Sequence, residues 1–154
     1  MEISDLLQTD GVSADLNVTS KKQALQDLAR RASEVSGLHE RAVFDVLMER
    51  ERLGTTGVGN GIAIPHGKLP NLDQLHGFFA RLKQPIDFQA IDERPVDLIF
   101  VLLAPETAGA DHLKALARIS RLLRDQSVCE KLRGTDSAEA LYAILTESEE
   151  DRAA

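Results

Sequence analysis

Between Val96 and Pro105 the chain reads VDLIFVLLAP, and over 98–104 seven apolar residues follow one another without alternation. A strand with one wet face alternates apolar and polar side chains; a strand without alternation is covered on both faces. The run is also far short of the roughly 20 apolar residues that span a bilayer. A chain that carries it must therefore build a sheet with other elements layered over both sides. Helical patterns supply those layers. Ser20 can cap a helix running to about residue 35, with Ala24, Leu25, Leu28, Ala32 and Val35 as its apolar stripe and Gly37 as its stop. A second helix over 39–52 would bury Val43, Phe44, Leu47 and Met48, and a third begins near Asp111 with Leu113, Leu116, Ile119, Leu122 and Leu123 at helical spacing. A short helix follows over 128–132, and Asp136 with Glu139 reads as the capping box of a last one ending near Leu145. Further strands are expected over 15–18, over 62–64 and in HGFFARL from His76. The fold class expected is α/β, a single-domain sandwich with a short mixed sheet flanked by helices, spanning 1–146; 147–154 is read as an acidic, frayed tail.

Charge and composition remove whole classes of function. A net charge of −7 over 154 residues argues against general binding to nucleic acid or to an anionic membrane surface, while leaving room for one local cationic pocket. Aromatic residues make up only 4% with no Trp, so a stacking platform for single strands is not expected either. One cysteine, Cys129, excludes an internal disulfide framework, and MEISDLLQTD has no secretory apolar segment. These features describe a reduced, cytoplasmic protein without membrane insertion.

The segment GVGNGIAIPHGK, residues 57–68, carries the chemistry. Proline fixes its own φ and biases the residue before it toward extended backbone, and glycine permits close backbone approach. His66 between them is held at a strand end on a constrained, uncrowded backbone. A nucleotide-binding P-loop does not fit, because Gly67-Lys68 is followed by Leu69-Pro70 with no hydroxyl for magnesium. The dinucleotide fingerprint fails as well, since the glycines precede the strand. His66, His76, His112 and Cys129 show no tight ligand spacing, so no metal and no cofactor is expected. Cys129 lies at apolar helical spacing and reads as packing, and His39 and His76 match no motif.

Two stretches, RERLGTTGVGNGIAIPHGKL and ADHLKALARISRLLRD, resemble the enzyme IIA proteins of the phosphoenolpyruvate-dependent phosphotransferase system. The likeness is to the nitrogen-regulatory branch, related to the fructose/mannitol IIA domains, and runs over about residues 1 to 146. The resemblance implies that His66 accepts a phosphoryl group, at the Nε2 (tele) nitrogen, from the histidine carrier protein of that system. It also implies that His112 and Arg50 complete the site. Read without it, Arg50 is an exposed helical residue paired with a neighbouring glutamate, and His112 a capping or surface residue.

The chemistry is compatible. An imidazole with an ordinary pKa of about 6.5 is neutral and nucleophilic near pH 7. Phosphoryl transfer asks mainly for positioning and charge neutralisation, which a guanidinium can give through paired hydrogen bonds and a helix start can reinforce. Thr56 and Asn60 are further candidate donors to phosphoryl oxygens. Two roles follow: a regulator whose phosphorylation state controls partners in nitrogen and potassium homeostasis, among them potassium-transport or sensor-kinase proteins, or a sugar-transport component passing phosphoryl to a fructose/mannitol-type IIB. The lack of a fused sugar-binding, membrane or second phosphoryl domain favours the regulator.

Overall fold

The structure is a computed structural model, and it describes residues 1–147. All but the first residue of the expected acidic tail lies outside that range. A 3-10 turn at Ile3–Asp5 leads into β1 (Leu7–Leu16), then α1 (Lys21–Ser36) and α2 (Glu40–Arg52). Short strands β2 (Gly57–Gly59), β3 (Ile62–Ala63) and β4 (His66–Leu69) follow, then long β5 (His76–Ile86) and β6 (Val96–Pro105). The chain closes with α3 (Ala110–Arg124), α4 (Gln126–Arg133) and α5 (Ala138–Thr146).

The non-alternating run becomes the centre of the sheet, as its pattern requires. β6 pairs antiparallel with β5 on one side and parallel with β3 and β4 on the other; β1 adds parallel to β5, and β2 antiparallel to β3. Leu98, Phe100 and Leu102 join the core cluster formed with α3, α4 and α5, while Ile99, Val101 and Leu103 join the cluster formed with α1 and α2. Phe79 and Phe100 meet edge-on at 6.2 Å under α3 to α5. Each fully buried side chain of this kind contributes about 1.5–3 kcal/mol over an exposed one.

Several boundaries differ from the sequence reading. The strand expected over 15–18 is instead the ten-residue β1 ending at Leu16, because its alternation is broken by Gly11 and by register shifts against β5. The last helix is capped by Ser137, whose hydroxyl accepts from Ala140 N–H, and not by an Asp136–Glu139 box. The apolar strand expected over 62–64 is two residues long, with Ile64 buried just beyond it. His66 accordingly does not end that strand; it begins β4, after Pro65 interrupts the edge. The interruption keeps register, since Leu102 N–H donates to the Pro65 carbonyl at 3.0 Å and His66 pairs with Leu102.

Candidate functional site

His66 stands at the edge of the sheet, where β4 has β6 on one side only. Along β4, Leu69 packs with α1 and α2, and a Cβ on Gly67 would lie 2.0 Å from Val46 Cγ1 of α2. Gly67 is therefore glycine because a helix crosses it at contact distance, which seats the end of α2 beside the histidine. His66 and Lys68, at the alternate positions, belong to the opposite face.

The ring of His66 is oriented by two bonds. Nδ1 lies 2.8 Å from the Ile64 carbonyl, which can only accept, so Nδ1 carries the proton. Nε2 then bears the lone pair, and Arg50 Nε donates to it at 3.3 Å. Burial pushes the His66 pKa down and the Arg50 charge pushes the same way, against the Ile64 carbonyl and Glu51. The imidazole is thereby kept neutral with its nucleophilic nitrogen facing a cation.

Arg50 comes from the last turn of α2, its Nη1 donating to the Gly54 carbonyl at 2.8 Å. Its neighbour Glu51, which sequence reasoning did not single out, is buried and works as the foundation. Glu51 accepts from Lys21 Nζ at 2.7 Å, from Thr56 N–H at 3.1 Å and from the Thr56 hydroxyl in a short bond. Thr56 is thus committed to Glu51, and its carbonyl accepts from Ile64 N–H at 3.0 Å, just before the Pro-His step. The pair ties the end of α2 to the backbone that presents His66. A buried glutamate in a charged ERER run carries no pattern that distinguishes it from its exposed neighbours.

His112 arrives from the first turn of α3, 9% exposed, its ring centroid 5.7 Å from that of His66 at an interplanar angle of 62°. Its Nε2 is buried without a hydrogen-bond partner among the described residues. A buried ring nitrogen without a protein partner costs about 1–3 kcal/mol unless a small polar group meets it. Burial lowers the His112 pKa, with further depression from the Lys68 charge and from His66 whenever that ring is protonated.

The structure gathers His66, Arg50 and His112 in one site and does not bring Asn60 to it. Asn60 turns the β2–β3 hairpin with φ 58°, its N–H held by Asp92 at 2.9 Å and its carbonyl by Arg133 at 2.8 Å. It lies beyond the Leu98 end of β3, whereas His66 pairs at Leu102. His39 caps α2 through a bond from Ala42 N–H, and half-buried His76 stacks on Phe78. Cys129 is buried, its thiol donating to the Leu123 carbonyl and its pKa raised by burial, as packing predicts. Among the described residues no group of three or more His, Cys, Asp or Glu is gathered to hold a metal, and no helix is long and apolar enough to cross a membrane.

Comparisons with known proteins agree with this architecture. Residues 5–148 match the family described as phosphoenolpyruvate-dependent sugar phosphotransferase system, EIIA 2. The chain is similar to the nitrogen regulatory protein of Bradyrhizobium diazoefficiens, 61% identical over 145 residues that cover 94% of this chain and 95% of the relative. It is similar to the crystal structure of nitrogen regulatory protein IIA-Ntr from Neisseria meningitidis, with TM-score 0.88 and 39% identity over 94% of this chain and 99% of that one. The IIA mannitol structure from Escherichia coli shares the fold at TM-score 0.76, with 19% identity over 90% of this chain and 97% of that one.

Proposed function

From the membership of this chain in the phosphotransferase EIIA 2 family, on its nitrogen-regulatory side, we propose that it is a phosphohistidine carrier whose His66 Nε2 is the acceptor and whose charge state controls partner proteins. The observation that carries the reading is the pair of bonds on the His66 ring, a proton fixed on Nδ1 by Ile64 and a lone pair on Nε2 beside Arg50.

In the reaction the Nε2 lone pair attacks phosphorus on the phosphohistidine of the histidine carrier protein. The new N–P bond forms as the donor's N–P bond breaks, and the electron pair returns to the donor ring. Arg50 exchanges its weak bond to Nε2 for bonds to phosphoryl oxygens, and His112 Nε2–H donates to a third oxygen, ending its unpaired state. The Nδ1–Ile64 bond then stabilises the positive charge that the attacking ring develops. No metal is needed, since charge compensation comes from Arg50, His112 and the nearby Lys68. Phosphorylation adds about 1.5–2 negative charges to this sheet edge, enough to alter what docks there. The nitrogen-regulatory likeness supports targets in nitrogen regulation, and we extend them to potassium homeostasis.

The test is intact mass after incubation with phosphoenolpyruvate, enzyme I and the histidine carrier protein. One added phosphoryl group, labile to acid and absent in His66→Ala, is expected. A variant labelled at full stoichiometry would overturn the site. Discharge of the phosphorylated protein onto a fructose/mannitol-type IIB would assign it to sugar transport instead of regulation.

A further inference from the structure

At the other end of β6 from His66 lies a concavity of about 540 Å³, between the β2–β3 hairpin, the loop before β6, and the α3–α4 corner. Volumes of about 300–1,000 Å³ suit small-molecule ligands. Its walls include Ile62, Pro85, Pro95 and Leu123 on the apolar side, with Arg94, Arg124 and Arg133 alongside Asp97 and Glu130. In a chain of net charge −7, a concavity with more cations than anions is a local exception.

The three arginines are not equivalent. Arg133 is locked: Nε and Nη2 donate to the two Asp97 oxygens at 2.8 and 2.9 Å, and Nη2 also to Asn60 O at 2.8 Å. Those bonds leave its Nη1 for another acceptor. The lock requires Gly61, where a Cβ would fall 2.5 Å from Arg133 Nη2 and 2.8 Å from Asp97 Oδ1. Arg94 and Arg124 form no salt bridge among the described residues; Arg94 has only the through-space attraction of Asp92, whose oxygens are engaged by the backbone of Asn60 and Arg94. One fixed and two uncommitted arginines lining one concavity beside apolar residues suit a multiply charged oxyanion with an organic body.

We propose that this concavity binds a phosphate-bearing small molecule, its phosphates on Arg94, Arg124 and Arg133 and its body against Pro85, Pro95 and Leu123. The site is separate from His66 and does not depend on the phosphoryl-carrier reading.

The experiment is a titration of the full chain with inorganic pyrophosphate and with adenosine diphosphate at constant ionic strength, followed by amide chemical shifts, with citrate as the carboxylate control. Saturable shifts centred on Gly61, Arg94, Arg124 and Gln126 are expected, persisting in His66→Ala. The paired substitution Arg94→Gln with Arg124→Gln, its fold checked by thermal unfolding, should weaken binding at least about tenfold. Shifts centred on Arg50, His66 and His112, absence of saturation at millimolar concentrations, binding unchanged in the paired variant, or citrate binding more tightly than both phosphates would each overturn the proposal.

Discussion

Arg50 and Arg133 are both last-turn arginines of helices packed against the same sheet, yet they have opposite fates. Arg133 meets a carboxylate in two-toothed geometry, and Asp97 holds its pKa above the ordinary range. Its charge is spent on closing the hairpin onto α4. Arg50 meets only neutral acceptors, an imidazole lone pair at 3.3 Å and a carbonyl at 2.8 Å, and among the described residues it has no carboxylate partner. Its adjacent glutamate is turned away, into Lys21 and Thr56. A cation becomes reactive when the structure withholds its natural counter-ion, and here the withholding is done by burying Glu51 elsewhere.

The sharpest way to break that contrast is to remove each guanidinium in turn. Arg50→Ala should slow phosphoryl transfer to His66 by about 10²–10³-fold, the range for losing one preorganised charge donor, with little change in melting temperature. Arg133→Ala should do the reverse, losing about 1–2 kcal/mol of stability from a partly exposed bonded pair while transfer stays near the parent rate. Rapid-quench labelling and thermal melts read the two axes. Equal kinetic losses in both variants would erase the distinction.

Gly67→Ala tests whether the approach of α2 matters to the site. The added methyl meets Val46 at a distance no real Cβ tolerates. Relief by shifting α2 should cost about 1–3 kcal/mol as overpacking, and should slow transfer because Arg50 moves with the helix. Pairing it with Val46→Ala should restore both. Rescue of stability without rescue of rate would place Arg50 under some other control.

Thr56→Val is the milder perturbation. It removes the hydroxyl bonded to Glu51 while keeping shape, and should cost about 1–3 kcal/mol by leaving a buried carboxylate oxygen short of a donor. Transfer should fall less than in Arg50→Ala, since Lys21 still holds Glu51 away from Arg50. A larger loss of stability from Arg50→Ala in the Thr56→Val background than in the parent would show that Glu51 had swung back to the arginine.

Sequence reasoning reaches this comparison only in part, for physical reasons. The covered strand, the Ser20 and Gly37 helix limits and the singular setting of His66 are legible because periodicity, caps and a Pro-His-Gly step are local signals, whereas His112 enters as its companion only through the family resemblance. Glu51 was not, since burial of a charge is decided by partners 30 residues upstream and 5 downstream, Lys21 and Thr56. Asn60, in the glycine-rich segment before His66, is by sequence a candidate hydrogen-bond donor to phosphoryl oxygens. The chain between them runs along β6 and carries Asn60 to the Arg133 clasp instead. The capping residue of α5 was missed by one position because Asp136, Ser137 and Glu139 offer competing caps, and the backbone angle selects Ser137.

The smallest effect is the most diagnostic of how the two histidines are held. Both have pKa values lowered mainly by burial, so in the folded state they resist protonation more than in the unfolded chain. The unfolded state then binds more protons as pH falls through about 6.5, and the stability these rings contribute is present above that pH and lost below it. Urea midpoints should therefore decline on acidification from neutral pH, less steeply in His66→Gln and His112→Gln. The rate of phosphoryl uptake should stay level through the ordinary histidine range and fall only at lower pH, because Nε2 of His66 keeps its lone pair there. Arg50→Ala removes one of the two influences that depress His66, and its uptake should begin to fall at a higher pH than the parent's. A fall at the same pH in both would mean that burial alone sets the protonation of the nucleophile, and that Arg50 acts only on the incoming phosphoryl group.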